Sequence, residues 1–187
     1  MPHCKVLQTY VGPLNDAMDE FEIDTPRRAA AFLAQIAHET LQLRFTKEIW
    51  GPTAQQLKYE RRVDKAWPPE GADQANHLAW ILGNSELGDG RKFMGRGPIQ
   101  TTGRTNYDHA GTALNLDLLN QPELLETPQH GCRAAALFWK RHGLNALADE
   151  MRFDEITKAI NGAQTGASER RGYFETALAA LGEPAIV

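Results

Sequence analysis

TPRRAAAFLAQIAHETLQLRFTKE, residues 25–48, decides how the rest of the chain is read. Thr25 followed by Pro26 is an N-cap with proline at the first helical position, where its missing N–H costs nothing. Ala29, Phe32, Leu33, Ile36, Ala37 and Thr40 then recur at helical spacing and predict an amphipathic helix with Glu39 near its end. Beyond Thr40 the period changes. Leu41, Leu43 and Phe45 alternate with Gln42, Arg44 and Thr46, the pattern of a short, half-buried strand. Glu48 follows Glu39 by nine residues. A continuous helix would put the two on opposite faces with ~13 Å of rise between them. An extended segment instead sets Gln42, Arg44, Thr46 and Glu48 on one polar face, so that a carboxylate at a helix end can face one on a strand.

Outward from this stretch, helix signals dominate. Thr127 and Pro128 repeat the start signal before Cys132, Ala135, Ala136 and Trp139, whose phase predicts core, and Gly143 supplies the stop. Weaker helical patterns cover Leu14–Phe21, Thr53–Tyr59, Ala72–Leu82, Gly103–Leu114, Phe153–Ile160 and Ser168–Leu181. The stretch from Gly83 to Gly97, dense in glycine and charge, reads as an irregular surface loop forming a flexible wall. The fold class expected is mainly α (α+β), with a small β element. At 187 residues, with no repeat and no linker, the chain reads as one domain over residues 1–187, large enough to bury its own core.

Composition narrows the function classes. A net charge of −4 argues against a general nucleic-acid binder, which needs Lys and Arg to neutralise phosphates. Cys4 and Cys132 make neither a disulfide framework nor a zinc pattern, and Cys132 sits in an apolar helical phase that suits an inert thiol. His38-Glu39 lacks the second histidine of a zinc-binding H-E-x-x-H because Gln42 stands there, and no G-x-S-x-G nucleophile motif occurs. No metal or cofactor is expected. The start of the chain lacks an apolar signal-peptide core, and no stretch is long enough to span a bilayer.

Paired carboxylates are what glycoside hydrolysis needs: one protonated group for the leaving oxygen, one carboxylate to activate water or attack the anomeric carbon. Glu39, at the C-terminal end of its helix and hence at the negative end of the macrodipole, suits the proton donor. Taken alone, two glutamates at this spacing read first as solvated surface residues.

Three further segments change that balance: AHET at residues 37–40, FMGRGPIQTTGRTNY at 93–107 and AINGAQTG at 159–166. In this order they resemble the family 19 glycoside hydrolases, chitinases and phage endolysins of lysozyme-like fold, over most of the chain from Thr25 to Leu181. The glycine-rich segment has neither a P-loop Lys-Ser/Thr nor dinucleotide-binding spacing. The resemblance implies Glu39 as general acid, Glu48 as general base and Thr102 as the water-positioning hydroxyl. It implies Gln100, Asn106 and Asn161 as substrate-contacting amides, and Arg170 as a buried arginine at the substrate site that orients a carboxylate. Glu60, in LKYERR, competes for the base, but the insertion that accompanies such spacing in loop-rich plant chitinases is missing. Trp50, two residues from Glu48, is the candidate sugar-stacking ring. Leu41 and Gln42 stand where the family is glycine-rich, Thr105 stands where many members have an aromatic residue, and Ala163, Gln164 and Thr165 stand where a glutamate is common.

The expectation is an inverting endo-acting hydrolase of the β-1,4-glycan of bacterial peptidoglycan, a monomeric phage-type endolysin without a separate cell-wall-binding module. It would be made in the host cytoplasm and reach the wall through a separate pore. Chitin is the alternative substrate, and a non-catalytic glycan-binding module is the rival from another class.

Overall fold

Capping threonines, prolines and glycines cut the chain into short helices. The computed structural model describes residues 1, 4–71 and 74–183. Among these, the helices are α1 (Leu7–Glu20), α2 (Pro26–Glu39), α3 (Ala54–Leu57), α4 (His77–Ile81) and α5 (Asp89–Lys92). After them come α6 (Arg104–Leu114), a 3-10 turn (Pro122–Glu126), α7 (Pro128–Arg141), α8 (Leu144–Asp149), α9 (Phe153–Asn161) and α10 (Ala167–Ala180). The two Thr-Pro starts form as read. The Thr25 hydroxyl accepts from Arg28 N at 3.3 Å and that of Thr127 from His130 N at 3.4 Å, each meeting one orphan N–H of its helix.

The larger hydrophobic cluster is built by α1, α2 and α7–α10, with Phe32, Ile36, Trp139, Ile156 and Phe174 at its centre. Phe32 meets Trp139 edge-on, with ring centroids 5.3 Å apart. A smaller cluster joins Phe93, Tyr107, Leu114, Leu118 and Leu125 to Ala134 of α7. Cys132 is buried in the larger cluster, and burial pushes its thiol up to about 12, so it stays neutral. No helix among the described residues is long and apolar enough to cross a membrane.

The β content is smaller than the alternation predicted and lies elsewhere. Leu41, Gln42 and Leu43 are not a strand: all three are left-handed, with φ of 47°, 58° and 65°. Gln42 N donates to Ala37 O at 2.8 Å and Leu41 N to His38 O at 3.3 Å, the pair of bonds that closes a helix C-terminus. Leu43 N donates to the Thr40 hydroxyl at 2.6 Å, and the Leu43 side chain enters the larger core. Glycine normally fills such a site, so Leu41 and Gln42 hold the turn against a steric penalty of about 1–2 kcal/mol each. Gln42 consequently leaves the polar face predicted for it and donates to the Tyr173 hydroxyl at 3.3 Å.

The bridged unit begins later. Lys47 pairs antiparallel with Arg96, and Arg96 with Thr101. Glu48 N donates to Gly95 O at 2.9 Å, Gly97 N to Thr46 O at 2.8 Å, and Thr101 N to Arg96 O at 2.8 Å. Alternation within this unit sorts its side chains. Lys47 and Arg96 share Glu126, at 2.9 and 2.8 Å, while Thr46 and Glu48 take the other face. Arg96 is thus a structural residue of the GRGPIQ segment, buried and donating also to the Tyr107 hydroxyl at 3.0 Å.

Other differences have local causes. The first helix begins at Leu7, seven residues before the predicted start, and carries Pro13 inside it; the Gly12-Pro13 pair masks the helical phase of Tyr10, Leu14 and Ala17. Of the predicted helix over residues 72–82, Ala72 and Asp73 lie outside the described residues, and the helix starts at His77. The stretch 83–97 is a surface loop only in part, with Glu86, Leu87, Gly88, Arg91 and Lys92 exposed. It contains α5, and Asp89, Gly90 and residues 93–98 are buried. Arg104 clamps Asp89 through two bonds of 2.8 and 2.7 Å, a long-range pairing that composition does not reveal.

Candidate active site

Glu39 is the last residue of α2, and α10 packs alongside it. Arg170 of α10 is only 2% exposed, and each of its three guanidinium nitrogens donates to the protein. Its Nη2 donates to Glu39 Oε1 at 2.5 Å, Nη1 to Gln35 Oε1 at 2.5 Å and Nε to Thr165 O at 3.0 Å. Gln35 stands one turn before Glu39 and passes the network on to the Thr157 hydroxyl at 2.9 Å. Arg170 is therefore buried and bonded to the Glu39 carboxylate. Glu39 Oε2 makes no hydrogen bond among the described residues, so one carboxyl oxygen remains for a ligand.

Glu48 is held differently. Gly95 N donates to its Oε2 at 3.0 Å, and Gln56 Nε2 to its Oε1 at 3.0 Å. Gln56 closes the capping box of α3 with Thr53, and its Oε1 also accepts from Gly51 N and Thr53 N at 3.2 and 2.8 Å. Each Glu48 oxygen keeps a lone pair for water. The Tyr59 phenol lies close by: burial first, then the Glu48 charge, pushes it above its ordinary value.

Gly95 is where the GRGPIQ segment converges. A Cβ there would come 2.5 Å from Gln100 Oε1 and 3.2 Å from Thr102 Oγ1, so glycine lets both approach the backbone that binds Glu48. The structure thus gathers Glu48, Gln100 and Thr102 around one residue. Thr102 Oγ1 donates to Gln100 O at 2.9 Å, and Gln100 Nε2 to Gly97 O at 3.0 Å. Gln100, Thr102 and Asn106 line one cavity of about 500 Å³, with the exposed Asn106 Nδ2 bonded to Thr102 O at 2.8 Å.

The remaining candidates separate. Glu60 Oε1 accepts from Arg91 N at 3.0 Å and its Oε2 from Gly88 N at 3.1 Å, and its carboxyl packs where a Cβ on Gly90 would fall. It is committed to fastening α5. Asn161 folds its own loop, accepting from Ala163 N at 2.8 Å and donating to Thr165 O at 3.1 Å, the carbonyl that also receives Arg170. Trp50 lines the cavity beside Glu48, its ring 6.5 Å from that of Tyr59. Gln35 and Gln56 were missed in the sequence. A polar residue one turn before Glu39 on an apolar helix, and Gln three residues after the capping Thr53, were the available signals.

A separate apolar groove of about 580 Å³ runs between α1, α2 and α10, lined by Leu7, Val11, Leu14, Leu33 and Tyr173 among others; neither Glu39 nor Glu48 lines it.

Comparison with known proteins identifies the family and the fold. The family model described as chitinase class I, glycoside hydrolase family 19, matches residues 17–148. The chain belongs to family 19. The matched span contains Glu39, Glu48, Gln100, Thr102 and Asn106, while Asn161 and Arg170 lie beyond it. Chitinase 4 of Oryza sativa subsp. japonica is 28% identical over 157 residues, 83% of this chain and 46% of its own length. Endochitinase 1 of Theobroma cacao is 35% identical over 114 residues, 60% of this chain and 32% of its own. The chain thus spans about a third to a half of the length of these curated relatives. The crystal structure of chitinase C from Streptomyces griseus HUT6037 superposes with a TM-score of 0.68 at 26% identity, covering 98% of this chain and 74% of that one. A bacterial family 19 chitinase shares the fold at 21% identity, with a TM-score of 0.69 over 96% of this chain and 93% of its own. The mostly helical, lysozyme-like family 19 fold is that of this chain.

Proposed function

We propose that this family 19 chain hydrolyses a β-1,4-linked N-acetylhexosamine glycan with inversion, Glu39 acting as general acid and Glu48 as general base. The observation that carries the reading is the company each carboxylate keeps. Glu39 keeps Oε2 unbonded among the described residues, and Glu48 is bound by the Gly95 N–H, against whose missing side chain Gln100 and Thr102 pack, whereas Glu60 is bound by the backbone of Gly88 and Arg91 at α5. Glu39 Oε2 delivers a proton to the glycosidic oxygen as the bond to the anomeric carbon breaks. Glu48 removes one proton from a water on the opposite face. The Thr102 proton is already spent on Gln100 O, so its hydroxyl can only accept. A water that donates one hydrogen to Thr102 and one to Glu48 turns its lone pair toward the sugar. Gln100 and Asn106 would meet acetamido and hydroxyl groups, with Trp50 as a stacking surface.

For the polymer, we favour the peptidoglycan strand, in the role of an endolysin that reaches the wall through a separate pore. The groove rim around Trp50 carries Arg44, Lys47, Arg91 and Lys92 in a chain of net charge −4, which suits an anionic glycan. Chitin is the second reading, favoured because the matched relatives are named chitinases. Release of reducing ends from purified peptidoglycan and from chitin oligomers separates the two.

The roles are tested by substitution. Glu39→Gln is expected to lower turnover of polymer by ~10²–10⁴ while binding survives. It should retain more activity on an activated aryl glycoside, whose leaving group needs no proton. Glu48→Gln should be partly restored by azide, and Thr102→Ala should lose less than either. Near-normal turnover by Glu39→Gln would refute the acid assignment, and a wild type that binds glycan without releasing reducing ends would make the chain a binding module.

A further inference from the structure

Resting on the peptidoglycan reading above, we propose that Arg44 and Arg91 form a carboxylate-reading subsite for the peptide stem carried by alternate sugars of that glycan. Most arginines of this chain are already engaged in ion pairs, among them Arg28, Arg96, Arg104 and Arg170. Arg44 and Arg91 make none among the described residues. Both are exposed, and both line the cavity of about 490 Å³ that contains Glu48 and Trp50. Arg91 also lines the adjoining cavity of about 610 Å³, which shares Trp50 and Met94 and adds Lys92.

The anionic groups on these walls do not neutralise the pair. Glu60 is capped by the N–H groups of Gly88 and Arg91, and Glu48 by Gly95 and Gln56. Lys47, the neighbouring cation, is drawn to Glu126. Arg44 rests with its guanidinium 5.1 Å from the Phe45 ring centroid, a contact that leaves its N–H groups available. Two unspent guanidinia thus stand at the rim of the groove that carries the proposed base.

A neutral N-acetylglucosamine chain offers such a pair no carboxylate. Peptidoglycan does: every second sugar bears a lactyl ether extended by a short peptide with free carboxylates. Two extended residues carry the first of these ~7 Å from the ether, from a sugar in the groove out to its rim. Guanidinium binds carboxylate through two parallel N–H···O bonds, which gives orientation as well as charge. The pair would hold the strand in the register that brings a bond to a muramic sugar, and not a neighbouring one, between Glu39 and Glu48.

The test compares intact peptidoglycan, the same glycan after enzymatic removal of its stems, and N-acetylglucosamine oligomers, with the wild type, Arg44→Gln, Arg91→Gln and the double variant. Circular dichroism confirms that these surface changes leave the fold intact. The wild type should prefer intact over stripped glycan by at least ~10-fold in kcat/KM, with the preference falling as salt rises. The double variant should lose that preference, chiefly through KM. Equal losses on intact and stripped glycan, or an unchanged preference, would overturn the subsite while leaving the glycosidase reading standing. A wild type that cuts the oligomers but no form of peptidoglycan would overturn the polymer assignment and the subsite together.

Discussion

Glu39 stands at the end of α2 under a buried guanidinium, whereas Glu48 stands on the bridged unit under a backbone N–H and a capping glutamine. The first arrangement is made of side chains from three helices: Gln35 of α2 lies far in sequence from Thr157 of α9 and Arg170 of α10, and they meet only in the packed core. The second is made mostly of main chain. Hydrogen bonds between residues 46–48 and 95–97 fix where the Gly95 N–H points, and the missing side chain of Gly95 admits Gln100 and Thr102. One carboxylate is therefore vulnerable to loss of a partner and the other to intrusion of an atom.

Removing Arg170 should have the larger effect. Arg170→Leu takes three charge-assisted donors from Glu39, Gln35 and Thr165 and should cost about 2–4 kcal/mol of stability, toward the lower end for a broken buried pair because Glu39 keeps some contact with water. Denaturant unfolding measures this. Because Arg170 acts through the proton donor, turnover of polymer should fall more than turnover of an activated aryl glycoside; equal falls would mean that it serves only the fold.

Gly95→Ala should have the smaller effect on stability and a distinct effect on activity. The added methyl meets the far ends of two side chains, which can turn aside, so unfolding should shift by less than ~1–2 kcal/mol. Turning aside displaces Gln100 and Thr102 from beside Glu48, and kcat should drop ~10–100-fold, as displacements of about 1 Å do in preorganised sites. Unchanged kcat would remove these two residues from the mechanism.

The same contrast explains how much of the site could be read from the chain. Thr25-Pro26 and Thr127-Pro128 announce their helices because a cap is a local device, whereas Glu39 and Glu48 are singled out as a pair by the resemblance of three segments and not by their spacing. The turn at residues 41–43 defeats the periodicity argument. Leu-Gln-Leu-Arg-Phe-Thr alternates like a strand, yet the bonds that end α2 and the burial of Leu43 impose left-handed backbone. The order within residues 83–97 depends on Glu60 and Arg104, both outside it, and no local pattern reports them. Arg170 carries the same lesson, since its partner Glu39 is 131 residues away. Gln56 was legible as the third residue after a capping threonine, though nothing local says that its other end grips Glu48.

The stereochemistry of the first product tests the acid–base pair most directly. Proton NMR of a digest of β-1,4-linked N-acetylglucosamine oligomers, recorded before mutarotation, reads the new reducing end. Water attacking from the Glu48 side while Glu39 protonates the leaving oxygen requires the α-anomer to appear first. Initial release of the β-anomer would contradict the account, because it would require a covalent or substrate-assisted intermediate in place of water held between Glu48 and Thr102.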